Sequence, residues 1–431
     1  MKNFFVKKSI MSGEIIVPSS KSQTMRAILF ASLSKGRSKI KNFLKTDDIL
    51  AFIEGCRKFK AKIEIKKNSL EIFGTNRKIL LKDKDKLDVK NSGIALRFLT
   101  SIYALSDKKI IITGDESIKT NRSMKPLIEA LSCLGAHIKS IHNTDFAPLQ
   151  IKGPIISKNI QINGEDSQFV SSMLIAASLL DTKMQIEVIN PKEKPWVKLT
   201  LSWLNKMNIK VENQDFQKFI LYPPSKFDRK AFRGFDYMVP TDFSTILFPI
   251  AAALITKSNI LIKDVVFDDF QNDQKTIEIF KKLKANIYID KEKNQIRVEK
   301  SILEGNLEID VDDIIDSIPI LAVIGCYNRG KLMLKNGLNA RKKESDRIFA
   351  ITNELKKMKA KIIEKKDGLG VEGSKLEAAT LNSHRDHRIA MALTIAALGI
   401  EKPSLIEDVD CINKTYPTFK KDFKSLGCAI L

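Results

Sequence analysis

Two helical patterns alternate along the chain. In the first, a helix-like stretch ends in a short turn and runs into an Ile-rich strand: CRKFKAKIEI, LSCLGAHIKS, LNKMNIKVE, FKKLKANIYID, LKKMKAKIIE and FKSLGCAIL. Anchored on Ala61, Ala136, Met207, Ala285, Ala360 and Cys428, these segments are spaced by 75, 71, 78, 75 and 68 residues. In the second, an Ala/Leu/Ile-rich helix and a short break precede strands near Ile40, Ile110, Ile186, Ile260, Leu332 and Leu405, spaced by 70, 76, 74, 72 and 73 residues. Two interleaved series with one period indicate an internal repeat. Alternation of apolar and polar residues in KIEIKKNSLEIFG and NIYIDKEKNQIRVE predicts hairpins after the first series. The pattern thus predicts an α/β protein of six βαββαβ-like units, three in each of two domains.

The second-series helices begin at SKSQTMRAI, KNSGIALRF, EDSQFVSSM, PTDFSTILF, IDSIPILAV and HRDHRIAMA, each with Ser, Asp or Asn in capping positions. Helix N-termini attract anions, and if the repeats are symmetric the six ends point the same way, so that two facing domains line one cleft. Capping does not account for Lys21, Arg26, Arg97, Arg122, Gln168, His387 and Arg388. Cations there oppose the helix dipole, and a polyanionic ligand would offset their placement. In NARKKESDRIFAITNELKKMKA, Lys343, Glu344 and Arg347 are spaced to share one face if their turn is helical. In NSHRDHRIAMAL, His384, Asp386 and His387 sit among Arg385 and Arg388, whose charges disfavour a metal ion.

Charge and composition narrow the ligand. The 431 residues carry a formal charge of +22, but the basic residues are spread along the chain without a basic tail or stacking run, which argues against nucleic acid. Only 14 of the 73 basic residues are arginine, and half of these (Arg26, Arg97, Arg122, Arg341, Arg347, Arg385 and Arg388) fall in the helix starts just described or in the motifs quoted below. Arginine is the bidentate fork for carboxylate and phosphate, so this distribution points to a small-anion site. The five cysteines show no paired spacing, which argues against a disulfide framework or zinc site, and no apolar run is long enough for a membrane span. A cytosolic protein is expected.

Seven stretches in order, PSSKSQTMRAILFASLSKG, NSGIALRFL, GDESIKTNRSMKPLIEAL, DSQFVSSMLIAA, VPTDFSTILFPIAAA, NARKKESDRIFAITNELKKMKA and DHRIAMALTIAALG with NKTYPTF, resemble the signatures of the EPSP synthase family of enolpyruvyl transferases, from about residue 14 to the C-terminus. The resemblance implies a two-domain inside-out α/β barrel, with residues 1–20 and 239–431 in one domain, 21–238 in the other, and the site in the cleft that substrates close. It implies transfer of the enolpyruvyl group of phosphoenolpyruvate to the 5-hydroxyl of shikimate 3-phosphate, by a monomer without cofactor or metal.

By the same resemblance, phosphoenolpyruvate meets Lys21, Gly93, Arg122, Gln168, Arg347, Arg388 and Lys414. Shikimate 3-phosphate meets Ser22, Arg26, Ser167, Gln168, Asp316, Asn339 and Lys343. Asp316 is assigned to the hydroxyl proton, and Glu344 and Lys21 to protons around the methylene and the leaving phosphate.

The chain departs from the family pattern at Asp166, where a small residue is usual beside the shikimate phosphate, at Glu193 and Trp196 in KEKPWVK, and at Ile94, where Thr is usual. A carboxylate at Asp166 repels phosphate unless it turns to cap its own helix. Two alternatives stand beside this reading. One is the sister transferase acting on UDP-N-acetylglucosamine, disfavoured by Glu116 in place of a loop cysteine and by Ser22 after Lys21. The other is a non-catalytic, basic RNA-binding protein, which needs neither Asp316 nor Glu344.

Overall fold

The computed structural model describes residues 2–224, 228, 230–268 and 270–431. The chain forms two compact units, Ser19–Val239 and Met1–Pro18 with Pro240–Leu431. The first holds helices α1 (Lys21–Leu33), α2 (Asp47–Lys58), α3 (Gly93–Tyr103), α4 (Glu116–Thr120), α5 (Lys125–Cys133), α6 (Ser167–Ala177) and α7 (Lys194–Lys206). The second holds α8 (Phe243–Ile255), α9 (Gln274–Lys282), α10 (Ile318–Tyr327), α11 (Arg347–Lys357), α12 (His387–Leu398) and α13 (Phe419–Ser425).

The two series in the sequence become two classes of helix. Every residue of α8 and α12 is buried, as are Ile318–Cys326 of α10. A helix that is apolar all round has no solvent face to offer, so these three pack on one another at the centre of their unit. In the other unit α3 packs on α1 and α6 in the same way. The alternating helices are one-sided instead: α9 buries Thr276, Ile277 and Phe280 and exposes Lys275, Glu278 and Lys282.

Sheets cover these helices. Among the described residues, five four-stranded sheets share one order, in which a parallel pair is followed by two antiparallel strands. In one, Asp85–Asp88 lies beside Ile110–Thr113, then Leu149–Lys152, then His137–Ser140. Buried Leu87, Ile112 and Leu149 stand opposite one another along its core face. Both predicted hairpins form, with Ile63 opposite Ile72 and Ile287 opposite Val298.

The sixth sheet departs from expectation. Thr380–Asn382 pairs parallel with Ser404–Glu407, which pairs antiparallel with the N-terminal Phe4–Val6. The strand expected after α13 is reduced to a single bridge between Val6 and Ile430. Phe4–Val6 is thereby the third strand of the sheet that Ser404–Glu407 centres.

Caps also differ in one place. Ser20, Ser92, Asp166, Asp242 and Asp386 accept a backbone N–H in the first turn of α1, α3, α6, α8 and α12. Ser317 occupies the same position before α10 without capping it, because the 3-10 turn Asp312–Ser317 already leads into the helix and Pro319 removes a donor from its first turn.

Candidate active site

In the unit Ser19–Val239 the predicted residues gather in small groups. Arg26, on the second turn of α1, is buried, and its contacts among the described residues are to neutral groups. Its Nε and Nη2 donate to Thr200 Oγ1 at 3.1 and 2.9 Å, Nη2 also reaches the Trp196 carbonyl, and Nη1 reaches the Ser22 carbonyl. Its guanidinium lies 5.2 Å from the Phe98 ring centre. Desolvation draws the Arg26 guanidinium down to about 9. A buried cation held only by neutral acceptors is a site prepared for an anion.

Gly93 opens α3, and a Cβ there would stand 2.6 Å from Arg97 Nη1, 3.5 Å from Gln168 Oε1 and 3.7 Å from Arg122 Cζ. The missing side chain is therefore the space around which three polar groups converge. Arg97 was singled out in the sequence as an odd cation but not assigned to a ligand. Its Nη2 lies 3.3 Å from Asp166 Oδ2, and its Nη1 donates to Gln168 Oε1 at 3.4 Å. Asp166 caps its own helix through Gln168 N at 2.9 Å, so its second oxygen is turned onto Arg97. Ser167 Oγ donates to buried Glu193 Oε2 at 2.9 Å. Lys21, at the start of α1, stands 3.6 Å from Asp48 Oδ2.

The unit containing both chain ends concentrates charge. Arg347, 1% exposed, sends Nη1 to Asp316 Oδ1 at 2.6 Å, Nη2 to Glu344 Oε2 at 2.7 Å and Nε to Asp386 Oδ2 at 2.7 Å. Arg388 Nη2 reaches the other oxygen of Asp316 at 3.0 Å and Ser244 Oγ at 2.9 Å, while Lys414 Nζ donates to Glu344 Oε1 at 2.8 Å. Asp316 thus bridges two arginines, and Glu344 bridges an arginine and a lysine. Asn339 lies in the 3-10 turn Leu338–Lys342, and Lys343 ends that turn.

The helical face expected for Lys343, Glu344 and Arg347 does not form. Asp346 caps α11 through Phe349 N at 3.0 Å, so the helix begins at Arg347 and both Lys343 and Glu344 lie outside it. Arg347 and Glu344 still meet, across the cap.

Burial alone would raise the Asp316 carboxyl, but Arg388 and Arg347 outweigh it and hold the group well below the usual carboxylate range. Burial tends to lower the Arg347 guanidinium, yet Asp386, Glu344 and Asp316 keep it above its ordinary value. Asp273 behaves oppositely. It is buried, its carboxyl accepts from Ser317 Oγ at 3.3 Å, and it is pushed up to about 7 by burial and then by the charge on Asp316. The folded protein keeps the Asp273 proton where the unfolded chain, near 3.8, has lost it. Stability is therefore present below pH 3.8 and declines as pH rises toward about 7. Asp273→Asn, which keeps the neutral shape, is expected to remove this decline, on the order of 1 kcal/mol per pH unit. Urea unfolding of both proteins from pH 4.5 to 7.5 measures it, and parallel profiles would contradict the assignment.

Glu344, Asp386 and His387 bring ligand-type atoms within 4.8 Å of one another. Arg347 is bonded to both carboxylates, so its charge already occupies the place a metal ion would take. The group fits a guanidinium rather than a cation from solution.

Residues that sequence reasoning left unassigned are now visible. Asp386, which the sequence offers as a cap of α12 and weighs as a metal ligand, caps that helix and also holds Arg347. Ser244 follows the Asp242 cap and accepts from Arg388. Asp273 carries no local signal, since its partner Ser317 lies 44 residues further on.

Comparison with known proteins adds a lineage to this geometry. The family described as EPSP synthase (3-phosphoshikimate 1-carboxyvinyltransferase) matches residues 6–423. The 3-phosphoshikimate 1-carboxyvinyltransferase of Chlamydia caviae is 40% identical over 432 residues, covering 100% of this chain and 95% of that protein. That of Chlamydia abortus is 39% identical over 429 residues, covering 99% and 94%. A solved EPSP synthase from Acinetobacter baumannii is similar over 100% of this chain and 99% of its own, with a TM-score of 0.82 and 25% identity.

Proposed function

The chain belongs to the EPSP synthase family, and we propose that it transfers the enolpyruvyl group of phosphoenolpyruvate to the 5-hydroxyl of shikimate 3-phosphate, releasing phosphate. The observation that carries this reading is the pair of buried arginines, Arg347 and Arg388, bridged by Asp316. Both substrates are phosphorylated carboxylates, and two guanidiniums held by an internal carboxylate are ready to exchange it for theirs.

Phosphoenolpyruvate is read as bound by Lys21, Gly93, Arg122, Gln168, Arg347, Arg388 and Lys414, and shikimate 3-phosphate by Ser22, Arg26, Ser167, Gln168, Asp316, Asn339 and Lys343. Anions that draw Arg347 and Arg388 away from Asp316 remove what holds its carboxyl low, so the group becomes basic when substrates are present. Asp316 then takes the 5-hydroxyl proton as the oxygen attacks C2 of phosphoenolpyruvate. A proton from Glu344 or Lys21 reaches the methylene carbon, the C2–O bond to phosphate breaks, and the methyl group gives a proton back. The hydroxyl proton leaves with phosphate, and the cations stabilise the charge on that leaving group.

In the same reading, the six sheets are six βαββαβ units of an inside-out α/β barrel, three in each of two domains. The protein is a cytosolic monomer that needs no cofactor and binds neither nucleic acid nor membrane. No helix among the described residues is long and apolar enough to cross a membrane.

Phosphate release from phosphoenolpyruvate, measured with shikimate 3-phosphate and with UDP-N-acetylglucosamine in parallel, tests the activity. Turnover is expected only with shikimate 3-phosphate; turnover only with the sugar nucleotide, or with neither, contradicts the proposal.

Gly93 supplies a more local test. Gly93→Ala sets a Cβ against Arg97, which Asp166 and Gln168 already hold in place. KM for phosphoenolpyruvate is expected to rise on the order of tenfold, the effect of about 1.4 kcal/mol, with kcat changed far less. An unchanged KM would remove Gly93 from the pocket.

A further inference from the structure

Helices α11 and α12 carry Arg347, Asp386 and Arg388, and two buried pins join them. The first is the ion pair between Arg347 and Asp386. The second lies two turns further along α11, at Glu354, whose carboxylate is 1% exposed. Its Oε1 accepts from His384 Nε2 at 2.9 Å, from Asn353 Nδ2 at 3.2 Å and from Lys357 Nζ at 2.8 Å. Its Oε2 accepts from the Asn382 backbone N–H at 2.9 Å and from Lys357 at 2.7 Å.

Every neighbour of Glu354 in this set donates, as an ionised carboxylate requires. Burial alone would raise its carboxyl, but the bonds from His384, Lys357 and the Asn382 backbone bring it down to about 2. A carboxylate only accepts, so His384 Nε2 carries the hydrogen in this pair.

The segment so held is strained. His384 and Arg385 adopt φ of 51° and 54°, two successive left-handed residues without a glycine. Such backbone is unfavourable for residues other than glycine and persists only where its surroundings fix it. Asn382 Oδ1 accepts from His384 N at 2.7 Å, Ser383 Oγ accepts from Arg385 N at 3.1 Å and donates to the Asp408 carbonyl at 2.8 Å. The Phe349 ring of α11 meets the His384 ring edge-on at 6.5 Å. Asp386 follows at once as the cap of α12, and Arg388 lies in its first turn.

We propose that Glu354 and His384 form a clamp that fixes the entry of α12 against α11 and so positions Asp386 and Arg388 relative to Arg347. The proposal rests on the reading of Arg347 and Arg388 as ligands of the substrate anions. When Arg347 turns from Asp386 to those anions the first pin loosens, and the Glu354–His384 pin still ties the entry of α12 to α11. Both are positioning residues, touching no substrate.

Glu354→Gln and His384→Ala in the full chain test the clamp. Each is expected to raise KM for phosphoenolpyruvate on the order of tenfold at saturating shikimate 3-phosphate, with kcat within about threefold, because ground state and transition state lose the same binding. The double variant should be no worse than the more damaged single one, since both remove one coupling. His384→Gln, whose amide still donates toward Glu354, should keep most of the affinity. Unchanged KM in both single variants, or additive losses in the double variant, would overturn the clamp. If the wild-type protein itself shows no turnover, the functional reading fails separately. Amide exchange at Asn382 and His384 then decides the clamp: faster exchange in His384→Ala supports it, and unchanged exchange overturns it.

Discussion

Asp316→Ala is expected to lower kcat by about a hundredfold to ten-thousandfold, the span of general-base contributions, with little change in KM for phosphoenolpyruvate. The two parts of that result have different origins. Loss of the carboxylate removes the acceptor for the 5-hydroxyl proton, which is felt in the transition state. Binding of phosphoenolpyruvate is spared, because Asp316 competes with substrate anions for Arg347 and Arg388, and its removal leaves both arginines to the substrate. Asp316→Asn keeps the shape and should show the same fall in kcat. A near-normal kcat in both variants would assign the hydroxyl proton elsewhere.

Arg347→Met should do the most damage to the fold. The guanidinium is the shared partner of Asp316, Glu344 and Asp386, all within 2.7 Å of one of its nitrogens. Removing one side of a buried charge cluster leaves the other side uncompensated, at a cost of about 3–5 kcal/mol. The deficit should shrink as pH falls, because without Arg347 the buried carboxyls take up protons more readily than in the unfolded chain. Urea unfolding at pH 5 and pH 8 reads both effects. A variant as stable as wild type at both values would show that the carboxylates have other sufficient partners.

Much of this was legible in the sequence, for a physical reason. Helices such as α8 and α12, apolar on every side, can only be interior, and their alternation with one-sided helices such as α9 imposes the period near 72 residues that the strands follow. The cap residues Ser20, Ser92, Asp166, Asp242 and Asp386 were visible because capping is local. At Asp166 the carboxylate caps its own helix, the alternative left open in the sequence, and serves Gln168 N and Arg97.

Pairings across the repeats were not legible. Arg97 meets Asp166 and Gln168 only because α3 packs on α6. Asp273 gains its raised carboxyl only through burial beside Asp316. In the case of Lys343, Glu344 and Arg347, spacing found a true contact for the wrong reason. Helical spacing suggested that Glu344 meets Arg347, but they meet around the Asp346 cap, outside the helix.

The central claim is that substrate anions replace internal carboxylates as the partners of Arg347 and Arg388. A crystal structure with shikimate 3-phosphate and a phosphonate analogue of phosphoenolpyruvate that cannot turn over tests this most directly. Both guanidiniums are expected to bond to the analogue, and the contacts of Asp316 with Arg347 and Arg388, 2.6 and 3.0 Å here, are expected to open beyond hydrogen-bond distance as Asp316 meets the 5-hydroxyl. An analogue bound elsewhere, with both contacts unchanged, would contradict it.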